Sequence, residues 1–140
     1  MYRIDVMSRV PVYEQIVEQT EKFILTGVLK EGDKIPSVRS LSVSLSVNPN
    51  TIQKAVSELD RRGLVTSVPG KGCFVSDKAK KALSFVKRNN LEVIREKTEE
   101  LVMAGIEKEE VIEVIEEVYE KKDLMNKGNY IESKEVKGND

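Results

Sequence analysis

Residues 48–63 read NPNTIQKAVSELDRRG and specify one helix with two unlike faces. Asn48 followed by Pro49 has the form of an N-cap and a first helical residue. The asparagine side chain can accept from an orphaned amide, and proline has no amide to orphan. Ile52, Ala55, Val56 and Leu59 follow at i, i+3, i+4 and i+7, a narrow apolar stripe suited to a core. At about 100° per residue, Asn50, Lys54, Ser57 and Arg61 fall on the opposite face, with Gln53 beside them. The centre of that face holds amides, a hydroxyl and two cations, while Glu58 and Asp60 stand on its flanks. Gly63 ends the helix.

On the C-terminal side, Leu64 to Val68 and Cys73 to Val75 are short β-prone runs joined by Pro69-Gly70-Lys71-Gly72. They predict a hairpin with a small, basic tip. On the N-terminal side, Ser37 can cap a shorter helix whose buried positions are Val38, Leu41 and Leu45. Pro36 disfavours helix at Ile35, so an extended stretch is expected there after the turn Glu31-Gly32-Asp33. Before it, Pro11 opens a helix with Tyr13, Ile16, Val17, Thr20, Phe23 and Ile24 at helical spacing, closed near Gly27. Helix, extended stretch, helix, tight turn, helix, hairpin is the order of a winged helix-turn-helix.

Beyond Asp77 the character changes. Lys78 to Ala104 has no Pro or Gly and is expected to form one helix of about 40 Å. Leu83, Val86, Asn90, Ile94, Leu101 and Ala104 make a broken seam along it. Gly105 interrupts, and Lys108 to Lys122 resumes with Val111, Ile112, Ile115, Val118 and Tyr119. The expectation is an α-helical hairpin over 78–125 that buries its apolar side against another surface. Residues 126–140 have little apolar content and are expected to fray. The chain is thus expected to be mainly α with a small β-wing. Its divisions are a winged helix over 1–77, two helices for dimerisation, and a tail.

Composition narrows the function. Among 140 residues, 34% are charged and the net charge is -1. There is no histidine, which excludes imidazole acid–base chemistry and histidine metal sites. The single Cys73 cannot form an internal disulfide, in keeping with a reducing cytoplasm, and it reads as a small strand residue rather than a redox sensor. No apolar run approaches the ~20 residues needed to span a bilayer. No enzyme activity, cofactor or metal is expected. Charge distribution carries more than net charge does. Residues 34–72 hold six basic side chains (Lys34, Arg39, Lys54, Arg61, Arg62, Lys71) against Glu58 and Asp60, whereas 78–140 is slightly acidic. A basic segment in a neutral chain points to a local polyanion contact.

The runs PVYEQI, ILTGVLKEGDKIPSVRSLSVSLSVNPNTIQKAVSELDRRGLV and GKGCFV resemble the winged-helix domain of the GntR family of bacterial transcription regulators. The resemblance covers about residues 10–76. It rests on Gly27-x-Leu29-x-x-Gly32-Asp33, Pro36-Ser37-Val38-Arg39, Val47-Asn48-Pro49-Asn50-Thr51 and Gly70-x-Gly72 occurring in register. Only 63 residues follow the wing, too few for the metabolite-binding or aminotransferase-like domains of larger relatives. The chain resembles the short YtrA-type branch, whose C-terminal helices serve dimerisation and whose members often control transporter operons. Val56 stands where many relatives have an aromatic, and Pro49 and Gln53 replace arginines of some relatives.

The resemblance implies a homodimeric repressor on a two-fold symmetric duplex operator. Ser37 and Arg39 lie at the start of the second helix, where the helix dipole disfavours a cation unless a phosphate is near, and relatives use this arginine on DNA. Asn50, Thr51 and Gln53 lie in the part of the recognition helix that enters the major groove, and Gln53 is the leading candidate to read an adenine. Lys54, Ser57 and Arg61 extend that face, Asn48 is chiefly a cap whose neighbouring amides can receive a phosphate, and Lys71 and Gly72 form the wing tip. Leu83, Val86, Ile94, Leu101, Val111, Ile115, Val118 and Tyr119 are the expected dimer seam. Two other readings remain at this point: a winged-helix module that docks a protein, and a regulator gated by an unidentified small effector.

Overall fold

The computed structural model describes residues 1–138, with side chains as far as residue 123. It comprises two compact units, Met1–Asn89 and Asn90–Asp140. The first unit contains α1 (Val12–Leu25), α2 (Val38–Leu45), α3 (Pro49–Arg61), β1 (Val65–Val68), β2 (Gly72–Val75) and α4 (Ala79–Lys87). The second contains α5 (Asn90–Met103) and α6 (Lys108–Gly138).

Local chemistry starts α2 and bounds α3 where the sequence predicts. Asn48 caps α3, its Oδ1 accepting from the Asn50 N–H at 2.8 Å, with Pro49 at the first position. At the other end Gly63 adopts φ 75°, and the Leu64 N–H reaches back to the Leu59 carbonyl at 3.0 Å, as a left-handed glycine cap requires. Ser37 caps α2 by accepting from Ser40 N–H. The tight turn between α2 and α3 is made by Ser46 at φ 54°, the one non-glycine residue with positive φ among the described residues. Pro11 falls at the cap of α1, one position before the helix rather than within it.

The apolar stripes close into one core. Ile16 and Val17 from α1, Leu41 from α2, and Ile52, Ala55 and Leu59 from α3 are buried with Leu64, Val65 and Val75 of the wing. Complete burial of side chains such as Ile52 and Leu59 stabilises by about 2 kcal/mol each. Val38, Leu45 and Val56, predicted as core positions, are only half-buried at its edge. The N-terminal segment also joins the core, which its sequence did not announce. Tyr2 is buried, its ring meets Phe23 edge-on at 5.1 Å, and its hydroxyl shares a 2.8 Å hydrogen bond with Thr20. Gln15 and Gln19 on α1 hydrogen-bond the backbone of Asp5 and Arg3 and hold this segment along the helix.

The hairpin is antiparallel, with Val65 opposite Val75 and Val68 opposite Gly72. Pro69 and Gly70 (φ 75°) turn it, closed by the Lys71 N–H to the Val68 carbonyl at 3.0 Å. Proline followed by a positive-φ glycine is the signature of a type II turn. The extended stretch before Pro36 pairs with the far edge of β2. Lys34 bridges Phe74, and the Ile35 N–H donates to the Cys73 carbonyl at 2.9 Å.

The structure differs from four expectations for the C-terminal half. Residues 78–104 do not form one helix: α4 ends at Lys87 and α5 begins at Asn90. Asn89 and Asn90, both poor interior helix formers, fall at the break. Leu83, expected on a dimer seam, is instead buried with Ala79 in the chain's own core, where α4 packs on α1. The first unit therefore runs to Asn89 rather than to residue 77. The tail expected to fray from 126 is helical to Gly138, within a segment that contains no proline, and residues 139 and 140 lie outside the described residues.

In the second unit, Gly105 (φ 80°) turns the chain after α5, and the Ile106 N–H donates to the Leu101 carbonyl at 3.0 Å. No side chain described in this unit is buried. The two helices leave a cleft of about 370 Å³ in their crook, lined by Ile94, Leu101, Val111, Val114 and Ile115 among others.

Candidate nucleic-acid interface

The first unit presents α3 outward between two supports, the wing on one flank and the N-terminal end of α1 on the other. Burial of Ile52, Ala55 and Leu59 turns the helix so that Asn50, Gln53, Lys54, Ser57 and Arg61 are all exposed. Thr51, expected among the contact residues, is half-buried. Gln53 donates to the Ser57 hydroxyl one turn on, at 3.4 Å, which aligns the amide with the helix. Ser37 and Arg39 are exposed at the start of α2. Lys71 and Gly72 are exposed at the wing, and Gln53 and Val56 share one groove with them. A helix face of amide and hydroxyl groups beside a hairpin of width-sparing glycines fits a groove-reading element with a backbone-reading edge.

The cations are not equally available. Lys54, expected on the contact face, is exposed, and its ammonium lies 4.0 Å from the centroid of the Tyr13 ring, a cation–π contact to α1. Arg61 was expected on a carboxylate-free centre, yet both of its contacting nitrogens reach Glu58, one turn back, at 2.5 and 3.0 Å. Arg62 bridges Glu58 at 2.9 Å and Glu21 of α1 at 2.6 Å. The i,i+3 and i,i+4 spacings of the two arginines from Glu58 explain this: the flank carboxylate is within reach of both. Hydrogen bonds from Arg61 and then Arg62 hold the Glu58 carboxyl at about 2, far below its ordinary 4.5. Among the described residues, Arg39 and Lys71 make no ion pair and carry charge that a phosphate can take.

Cys73 is half-buried in β2, its sulfur 3.8 Å from the Ser67 hydroxyl. Burial pushes the thiol pKa up and the Asp60 charge adds to this, against the smaller opposing pull of Ser67. A thiol kept protonated is a poor nucleophile and a poor redox sensor. Sequence reasoning missed Tyr13 as the shelf under Lys54. Its only signal was an aromatic near the start of α1, which reads equally well as core.

A buried three-helix core, a capped and exposed recognition helix and a basic hairpin define a winged helix-turn-helix DNA-binding regulator. The model of the family described as bacterial regulatory proteins, gntR family, matches residues 12–75. The HTH-type transcriptional repressor YtrA of Bacillus subtilis (strain 168) is 38% identical over 122 residues, 84% of this chain and 92% of that protein. The chain belongs to the GntR family and is similar to its YtrA-type members. Solved structures agree. A transcriptional regulator from Oenococcus oeni matches with TM-score 0.67 at 26% identity, covering 85% of this chain and 99% of that one. YtrA from Sulfolobus acidocaldarius, a GntR-family transcription factor, matches with TM-score 0.57 at 36% identity, over 69% of this chain and 95% of that one. These relatives are regulators of transcription, not enzymes. No helix of the described residues is long and apolar enough to cross a membrane.

Proposed function

We propose that this protein is a homodimeric repressor that binds a two-fold symmetric operator and controls a transporter-type operon. The observation that carries the reading is the coexistence of two surfaces: an exposed amide-and-hydroxyl face on α3 and an uncovered apolar cleft between α5 and α6. The first suits one major-groove half-site. The second suits a copy of the same hairpin, whose Ile94, Leu101, Val111 and Ile115 supply the matching surface, with Val86, Val118 and Tyr119 exposed nearby in the sequence. One winged helix makes too few contacts for useful specificity, and two half-sites about one helical turn apart multiply the discrimination. Arg39 and Lys71 take backbone phosphates, Gln53 and Asn50 read base edges, and the α2 and α3 amide N–H groups near Ser37 and Asn48 donate to phosphate oxygens. The transporter assignment rests on the resemblance to the short branch, in which such targets are frequent.

The test is fluorescence anisotropy with the duplex upstream of the protein's own gene, beside a scrambled duplex, across a salt series. Tight binding to the promoter alone, weakened by salt and abolished by Arg39→Ala, is the expected result. With roughly three to five phosphate contacts per subunit, affinity falls steeply with salt. Equal weak binding to both duplexes overturns operator recognition. Binding that is absent or insensitive to salt favours a module that docks a protein instead.

A further inference from the structure

We propose that Lys34 is a phosphate-contacting residue beside the wing, in the groove between hairpin and recognition helix, with its stem laid across position 72, which carries no side chain. The inference rests on the reading above that the wing meets duplex DNA. It adds a residue that lies outside both the recognition helix and the hairpin.

The backbone fixes where this lysine starts. Lys34 is bridged to Phe74, and on either side of it the Ile35 N–H donates to Cys73 and the Asp33 carbonyl accepts from Val75 at 2.8 Å. Successive residues of an extended strand point to opposite faces. Ile35 is buried at 2% exposure, so Lys34 is directed to the outer face, where it is exposed.

Its stem then crosses the wing. A Cβ built on Gly72 would stand 2.8 Å from Lys34 Cε and 3.5 Å from its Nζ. The space that a side chain at 72 would take is thus filled by the lysine stem, and its ammonium is delivered beside the wing tip. Gly72 itself has φ 119°, a conformation that side chains disfavour, and this backbone geometry keeps the position bare. Lys34 lines the same groove of about 470 Å³ as Gln53, Val56 and Lys71.

The charge is available. Lys54 rests on Tyr13, and Arg61 and Arg62 are held by carboxylates, whereas Lys34 makes no ion pair among the described residues. An apolar stem laid over backbone with a free ammonium at its end is how a lysine reaches a ligand without losing hydration beforehand. The groove between a hairpin and a recognition helix is where one strand of a duplex runs when the helix is in the major groove and the wing at its border. The ligand chemistry is therefore a backbone phosphate, read without regard to base.

The experiment compares full-length wild type, Lys34→Gln, Lys34→Arg and Gly72→Ala by anisotropy on the promoter duplex and the scrambled duplex, each over a salt series. Loss of one phosphate contact lowers the slope of log affinity against log salt by about 1 per subunit. Lys34→Gln is expected to show that change and to weaken both duplexes by a similar factor, while Lys34→Arg restores the wild-type slope. Gly72→Ala is expected to reproduce the slope change, and adding Lys34→Gln to it to change the slope no further. A purely structural lysine would leave the slope where it was. An unchanged slope in Lys34→Gln, with wild type still binding, overturns this assignment alone. Weakening on the promoter but not the scrambled duplex also overturns it, since that marks a base contact. Wild type that binds neither duplex overturns the DNA reading and this inference with it.

Discussion

The two units are both helical, and they stand in opposite relations to their own apolar residues. In Met1–Asn89 the stripes of α1, α2, α3 and α4 converge, and residues such as Ile16, Ile52, Leu59 and Leu64 are almost wholly hidden from water. In the described part of the other unit no side chain is buried, and Ile94, Leu101, Ile112 and Ile115 remain 38–51% exposed. The first unit has enough elements to cover most of its stripes, with Val43, Phe85 and Val86 left exposed. A two-helix hairpin has one interface for several stripes, and α5 and α6 do not fill even that one. The comparison teaches that burial is a property of how many elements converge, not of how apolar a helix is.

Four experiments sharpen or break this contrast. The largest effect is expected from Ile115→Glu, which places a charge in the open cleft. Sedimentation equilibrium is expected to show the dimer reduced to monomer, and promoter affinity to drop on the order of 100-fold as the two half-sites uncouple. A variant that still sediments as a dimer would show that the cleft is not the seam. Leu59→Ala acts on the other unit. Removing a fully buried leucine is expected to cost about 3 kcal/mol of stability, read by thermal unfolding, with dimerisation unchanged. A cost under 1 kcal/mol would contradict the closed core.

Ser46→Gly is expected to stabilise the first unit by about 0.5–1 kcal/mol, because Ser46 holds φ 54° where glycine meets no steric cost. A lowered melting temperature would mean that the left-handed conformation is not retained. The smallest effect concerns Glu58, half-buried but paired with arginines that reach solvent, so that solvent screens its pairs. Its carboxyl lies at about 2 when folded and near 4.5 otherwise. The pairing thus contributes fully above about pH 4.5 and is lost as the pH falls towards 2. The stability difference between wild type and Glu58→Gln should be constant at neutral pH and shrink across that window. A difference independent of pH throughout would remove the ion-pair account.

Much of the recognition unit is legible residue by residue. Asn48-Pro49, Ser37 and Gly63 act through bonds to amides and carbonyls within a few positions, so the sequence alone places the start of α2 and both ends of α3. The candidate interface is legible in outline for the same reason: once Ile52, Ala55 and Leu59 face inward, Asn50, Gln53 and Ser57 must face outward. What escaped was the state of the charges. That Arg61 is held by Glu58, that Arg62 reaches Glu21 across 41 residues, and that Lys54 lies on Tyr13 depend on side chains brought near by packing. Asn89-Asn90 was a visible weak point in the long helix, but only the burial of Leu83 on one side of it shows where the break divides the chain.

By itself, then, the sequence determined the winged helix, the caps of α2 and α3 and the exposed face of α3. Each follows from periodicity or from hydrogen bonds over one turn of chain. Only the tertiary structure decided that α4 belongs to the first unit, that Tyr2 completes its core and that Lys34 lies across Gly72. These depend on surfaces separated by tens of residues meeting at atomic distance. Hydrophobic pattern declares which side of an element wants burial, but not which neighbour supplies it.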